Sequence, residues 1–406
     1  MARPARTTAL LLLALAALLQ GCAMLREAPT PELKRQAGQM LLVGFRGLEP
    51  QDASGQPLPI LRQVAELNLG GVILFDRDAG LGTPERNVQS PEQVQRLTSA
   101  LAQSARAAGL PPLFIAVDQE GGRVQRLKPI NGFPDSPAAA ELCPDAADGN
   151  GPDTAPALAA GETTGRMLRQ AGFNLDFAPV CDVNVNPENP VIGKIGRSFS
   201  PSPLNAAACA GAFAWGLQGQ HVLTAAKHFP GHGSSTADSH LGFTDVSSTW
   251  TEAELLPFAE LIRLGLADMV MTAHVYNARL DPKYPATLSR AVITGLLRGR
   301  LGYQGVVVTD DLQMRAVASH YGLKEALGLA VNAGADVLLL GNNLEHHEQL
   351  APMVLDLLME LVAEGVVSPQ RIRESAARIQ ALKARALAAP ALAVAGGPET
   401  ASTQKP

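Results

Sequence analysis

Eight short apolar runs punctuate the chain: QMLLVGF at 39–45, GGVILF from Gly70, PLFIAVD from Pro112, NLDFAPV from Asn174, VLTAAKHF from Val222, DMVMTAH from Asp268, GVVVTDD from Gly305 and ADVLLLG from Ala335. Each is nearly continuous in apolar residues, which is the pattern of parallel strands covered on both faces. The segments between them carry helical spacing, as in SPEQVQRLTSALAQSARAAG (90–109) and TEAELLPFAELIRLG (251–265). Ser90-Pro91 and Thr251 supply N-terminal signals for those two helices. Eight strand–helix units in succession predict a (β/α)8 TIM barrel in one domain, spanning about residues 32–388. The competing architecture, an open doubly wound sheet, lacks the GxGxxG or P-loop turn that would support it.

A barrel of this kind places its chemistry at the C-terminal ends of its strands. Asp118, Asp176, Asp182, Lys227, His228, His274, Asp310, Asp311 and Asn342 all fall there. One carboxylate at a strand end can be a loop cap. Ionisable groups delivered by strand after strand to one rim point instead to a site.

Composition narrows the chemistry. The 406 residues are 46% hydrophobic and 17% charged, with a net charge of -5 and 4% aromatic residues. Such a chain folds around a substantial core, and it lacks the basic patch and stacking platforms of a nucleic-acid groove. A small-molecule substrate fits better.

The N-terminus reads as a targeting segment. Arg3 and Arg6 precede TTALLLLALAALLQGC, whose apolar run of about a dozen residues suits a signal-peptide core and is too short to span a bilayer. Leu19-Gln20-Gly21-Cys22 resembles the bacterial lipoprotein cleavage box. Residues 1–21 are therefore expected to be removed, Cys22 to carry lipid, and 22–31 to form a tether, with the protein exported and anchored to a membrane facing the periplasm or cell surface. Removal of the two arginines leaves the mature chain more acidic. Residues 389–406 are expected to be a disordered tail of small residues and proline. Cys143, Cys181 and Cys209 remain, without CxxC spacing, so thiolate metal binding is disfavoured; three separate thiols, or one disulfide and one thiol, both fit.

The densest chemical signal is KHFPGHGSSTADSH, Lys227 to His240. His228 and His232 have the i, i+4 spacing of a helical zinc pair, but Pro230-Gly231 breaks the helix that would aim both rings at one ion, and no HExxH accompanies them. No metal and no cofactor is expected. Lys227 and His228 end the strand and point into the pocket, while Asp238 stands two residues from His240 and can orient its ring and favour its protonation.

Five blocks now combine. DQEGGRVQR (Asp118–Arg126), GRSF (Gly196–Phe199), KHFPGHG followed by DSH (Lys227–His240), MTAH (Met271–His274) and VVTDDLQM (Val307–Met314) together resemble the bacterial β-N-acetylhexosaminidases of glycoside hydrolase family 3. The resemblance runs from about residue 36 to 342. It implies a retaining hydrolase that removes terminal β-linked N-acetylglucosamine, with peptidoglycan fragments as the usual substrates; separately, a monomer is expected. It also implies that Asp310 is the nucleophile and His240 the acid/base partnered by Asp238, and that Asp118, Arg126, Arg197, Lys227 and His228 grip the terminal sugar. An imidazole acid/base departs from the usual pair of carboxylates and suits a group that must give and then take a proton. Asp311 is expected to position the turn, His232 to support its loop, and His274 either to line the pocket or to orient Asp310. A β-glucosidase, an N-acetylglucosaminide phosphorylase, a metal-dependent hydrolase and a non-catalytic wall-sugar-binding lipoprotein are the alternatives.

Overall fold

The computed structural model describes residues 29–147, 149–239 and 242–387. The expected signal peptide, Cys22, most of the tether, His240 and the expected tail lie outside these residues.

All eight apolar runs contribute a strand, in chain order: β1 (Leu41–Gly44), β2 (Gly71–Ile73), β3 (Phe114–Val117), β4 (Leu175–Asp176), β5 (Leu223–Phe229), β6 (Met269–Thr272), β7 (Val306–Val308) and β8 (Leu338–Leu340). Every residue of these strands is buried, which explains why the runs are continuous and not alternating. Neighbouring strands pair in parallel, for example Val43 opposite both Leu340 and Val72. A parallel bridge between Val308 and Val337 joins β7 to the start of β8 and closes the ring. Closure in chain order makes this a (β/α)8 barrel and removes the open doubly wound sheet from consideration.

The helices begin where the sequence signals them. The helix Pro91–Ala107 has proline in its first turn, and the Ser90 hydroxyl accepts from the Gln93 amide at 3.2 Å. Thr251 instead heads a short tight turn, Glu252–Leu255, before the α-helix Leu256–Arg263 starts. The last helix, Pro369–Leu387, docks against the N-terminal mouth of the barrel. There Asp336 accepts from Arg298 at 2.6 Å, Arg371 at 2.9 Å and Arg378 at 3.0 Å. Lys383 of the same helix reaches inward, donating to Gln39 Oε1 at 2.9 Å and the Gly70 carbonyl at 2.8 Å, with its ammonium 4.5 Å from the Phe114 ring centre.

One feature was not expected, and one pair of alternatives is resolved. Thr244–Asp245 and Val275–Tyr276 form a small parallel pair at the C-terminal face, outside the barrel sheet. Cys143, in the long connection after β3, is bonded to Cys209 in the helix Pro203–Gly219, and Cys181 is a buried thiol. The connection that carries Arg126 is thereby tied to the helix that follows Arg197.

Candidate active site

The C-terminal ends of the strands surround a pocket of about 330 Å³, at the small end of ligand sites. Ile73, Met271 and Leu339 contribute apolar floor, and Asp118, Glu120, Arg126, Arg197, Lys227, His228 and Asp310 contribute charged or polar walls.

The walls are one connected network. Asp118 directly follows β3, and the chain then turns at Gly121 and Gly122, both with positive φ. A Cβ at Gly121 would collide with the Pro137 carbonyl, so only glycine permits this turn. Asp118 accepts from Lys227 Nζ at 2.9 Å and from Arg126 Nη2 at 3.3 Å. Glu120, two residues on, accepts from both arms of the Arg197 guanidinium at 2.7 Å and lies 2.6 Å from Lys227 Nζ. Arg197 Nη2 is 3.3 Å from His228 Nε2, and His228 Nδ1 is 2.6 Å from Asp182. Because a guanidinium only donates, His228 Nε2 is the acceptor and its Nδ1 carries the hydrogen given to Asp182. Asp182 also accepts from the His232 amide at 2.8 Å, which holds the Pro230-Gly231 turn against the strand ends. The Lys227–His228 peptide is cis, and both side chains line the pocket.

The protonation states follow from these contacts. Burial works to raise Glu120, but Arg197 and Lys227 outweigh it and hold the carboxyl at about 2. Asp118 is likewise pushed up by burial and carried below its ordinary value by Lys227 and Arg126. Burial opposes the charge on Lys227, and Asp118 and Glu120 more than restore it. The network is therefore ionised and internally neutralised, which makes buried charge tolerable. Asp176 differs. Its Oδ1 accepts from the Gln119 amide at 2.9 Å, its Oδ2 has no hydrogen-bond partner among the described residues, and burial pushes the carboxyl well up.

Asp310 follows β7 and lines the pocket, with Oδ1 accepting from the Asp311 amide at 2.8 Å. Asp311 accepts from the amides of Gln313 and Gly341, both at 3.0 Å, so it ties the turn to the end of β8. His274 bonds to the Asp311 carbonyl at 2.9 Å and to the Thr287 hydroxyl at 2.8 Å. A carbonyl accepts only, so His274 Nε2 carries hydrogen and braces the backbone of the Asp310-Asp311 turn.

Six of the eight residues expected in the site therefore meet in one pocket: Asp118, Arg126, Arg197, Lys227, His228 and Asp310. Asp238 is half-buried on the loop beyond β5, and His240 lies outside the described residues. His232 has its ring nitrogens 2.9 Å from the Ser235 hydroxyl and 3.0 Å from that of Ser239, and burial holds it down at about 4. It is a neutral brace of the loop. Arg123 is exposed and lines the pocket. Glu120 escaped the sequence reading, and Asp182 was placed at the rim without a role. Alternation past the strand end puts Asp118 and Glu120 on one side, a signal that was available. Among the described residues, no cluster of three or more His, Cys, Asp and Glu side chains could hold a metal ion.

Residues 33–382 match the family model described as "Glycosyl hydrolase family 3 N terminal domain". The chain is 33% identical over 377 residues to the "Beta-hexosaminidase A" of Pseudoalteromonas piscicida, covering 86% of this chain and 60% of that one. It is 40% identical over 278 residues to the "Beta-hexosaminidase" of Tolumonas auensis, covering 68% and 76%. Among solved structures it superimposes on the glycoside hydrolase family 3 β-N-acetylglucosaminidase of Paenibacillus sp. str. FPU-7 with a TM-score of 0.77 and 38% identity, over 91% of this chain and 65% of that one. The chain thus spans less than two thirds of the length of the Pseudoalteromonas and Paenibacillus proteins.

Proposed function

The chain belongs to glycoside hydrolase family 3, and from that premise we propose that it is a retaining, exo-acting β-N-acetylhexosaminidase, a glycosidase that removes terminal β-linked N-acetylglucosamine from peptidoglycan fragments. The observation that carries this reading is the position of Asp310, which faces the same small pocket as the Asp118–Lys227–Glu120–Arg197 network. A pocket with one closed charged wall suits the end of a saccharide.

In this mechanism Asp118, Arg126, Arg197, Lys227 and His228 hold the terminal sugar. Asp118 is the most open carboxylate of the network, with its side chain 18% exposed against 4% for Glu120, so it retains lone pairs for sugar hydroxyls. Asp310 attacks the anomeric carbon as the bond to the leaving oxygen breaks, and His240 gives its proton to that oxygen. A covalent glycosyl-enzyme results. Water then attacks the same carbon, His240 takes its proton, and the Asp310 ester bond breaks, so configuration is retained. Asp238 orients His240 for both steps.

Export and lipidation at Cys22 belong to the same proposal. The Cys143–Cys209 disulfide supports it, since such bonds persist in oxidising compartments. Recovery of the native protein unlipidated from the soluble cytoplasmic fraction would count against it.

The function is tested by the release of 4-nitrophenol from the β-N-acetylglucosaminide and the β-glucoside, with Asp310→Asn in parallel and with phosphate and chelator varied. Preference for the acetamido sugar, indifference to both additions and a fall of roughly 10³-fold or more in the variant are expected. Acceleration by phosphate would indicate a phosphorylase, and loss of activity with chelator would indicate a metal enzyme. An unaffected Asp310→Asn variant would remove the proposed nucleophile.

A further inference from the structure

The charged grip occupies only one arc of the rim, the connections after β3 and β4 and the end of β5. The next arc is different in kind. Phe243, on the connection after β5, is half exposed at 50%, although it is among the few aromatic residues of the chain. Its ring centre lies 5.2 Å from Tyr276, on the connection after β6, and 5.8 Å from His320, on the connection after β7. Three rings from three successive connections thus form one open aromatic ledge.

The ledge is held in place by more than ring contact. The pairing of Thr244–Asp245 with Val275–Tyr276 fixes the backbone beside Phe243 and Tyr276, and the Tyr276 hydroxyl donates to the Pro282 carbonyl at 2.9 Å. A lone exposed ring would mean little, but rings grouped from three connections and held by a small sheet make a contiguous patch of the kind that marks a contact surface.

Its location relative to the chemistry follows from chain reach. Phe243 is three residues from His240, which bounds their Cα separation at about 11 Å. Tyr276 is two residues from His274, a bound of about 7 Å, and His274 is bonded to the Asp311 carbonyl. The acid/base protonates the leaving oxygen, so the chain beside His240 borders the leaving side of the substrate.

We propose that Phe243, Tyr276 and His320 form a leaving-side subsite that stacks on the sugar ring released by the reaction. A pyranose presents a face of C–H bonds with hydroxyls around its edge. Aromatic faces bury the first, while the His320 ring nitrogens and water meet the second. The inference rests on the glycosidase reading above and adds to it where the aglycone lies.

The test compares kcat/KM for the β-1,4-linked N-acetylglucosamine disaccharide with that for methyl β-N-acetylglucosaminide, whose leaving group has no ring to stack. In Phe243→Ala the ratio of disaccharide to methyl glycoside should fall by about threefold to tenfold, the range of a stacked ring contact. Phe243→Trp should restore it. Equal losses on both substrates would show that the ring only shapes the loop of His240, and an unmoved ratio would show that it touches no substrate; either result overturns the subsite. Failure of the wild-type enzyme on both substrates would instead overturn the glycosidase reading and the subsite with it.

Discussion

Lys227 and Lys383 lie at opposite mouths of one barrel, and both are buried, at 2% and 1% exposure. Burial opposes the ammonium charge on each. At the C-terminal mouth, Lys227 meets Asp118 and Glu120, and these two carboxylates raise it above its ordinary value. At the N-terminal mouth, Lys383 meets two carbonyl oxygens and a phenyl ring, and burial lowers it to about 7. The same side chain is thus a fixed cation in one place and a titrating group in the other. Depth alone therefore does not mark a site; the anions brought to meet the buried cation do.

Three substitutions press on this difference. Lys227→Met removes the cation shared by two buried carboxylates and should lower kcat/KM by roughly 10²- to 10³-fold, read by steady-state kinetics on the 4-nitrophenyl substrate. Retention of activity within about tenfold would mean that the neutralised network is dispensable, and the contrast would lose its meaning. Glu120→Gln leaves an isosteric group that cannot neutralise Arg197 and Lys227 together, and a loss of about 10- to 100-fold is expected. Combined with Lys227→Met its effect should be far from additive, because the two residues share partners.

Lys383→Met should change kcat/KM by no more than about twofold, since the residue is at the other mouth. Its signature is thermal. Between about 7 and the ordinary 10.5 the unfolded chain holds a proton that folded Lys383 has released, so wild-type stability gains from rising pH in that window. The melting temperature of wild type relative to Lys383→Met should accordingly climb from pH 7 to pH 9 and be flat below pH 7. A difference independent of pH across that range would show that Lys383 keeps its proton despite burial.

The two lysines also differ in how far they could be read from sequence. Lys227 stands in VLTAAKHF, a polar pair closing an apolar run, and that break in pattern announces a strand end with chemistry. Lys383 belongs to a helix whose buried positions are Ile372, Ser375, Ile379 and Leu382. Helical spacing from Ile379 places Lys383 on the same stripe, yet residue type argues for the surface, and only tertiary packing decides between them. The eight strands were legible because burial on both faces leaves a continuous apolar run. The Cys143–Cys209 bond was not, since spacing carries no information on which thiols meet across the fold. The leaving-side ledge was invisible for a related reason: Phe243, Tyr276 and His320 are dispersed along the chain and converge only when three connections are folded onto one face.

The network around Lys227 draws one carboxylate pair from the end of β3, an arginine from the connection after β4, and the lysine itself from β5. The β3 unit supplies Arg126 for its own Asp118, but Glu120 finds its cations only in the next two units. These three units therefore form one heritable block. Shuffling any one of them into another barrel would carry an orphan charge with it, and drift at Glu120, Arg197 or Lys227 requires a matching change in a neighbouring unit. Even Arg197→Lys, which preserves charge, would forfeit the two-armed contact with Glu120. A barrel built from repeated modules has, at this rim, become indivisible.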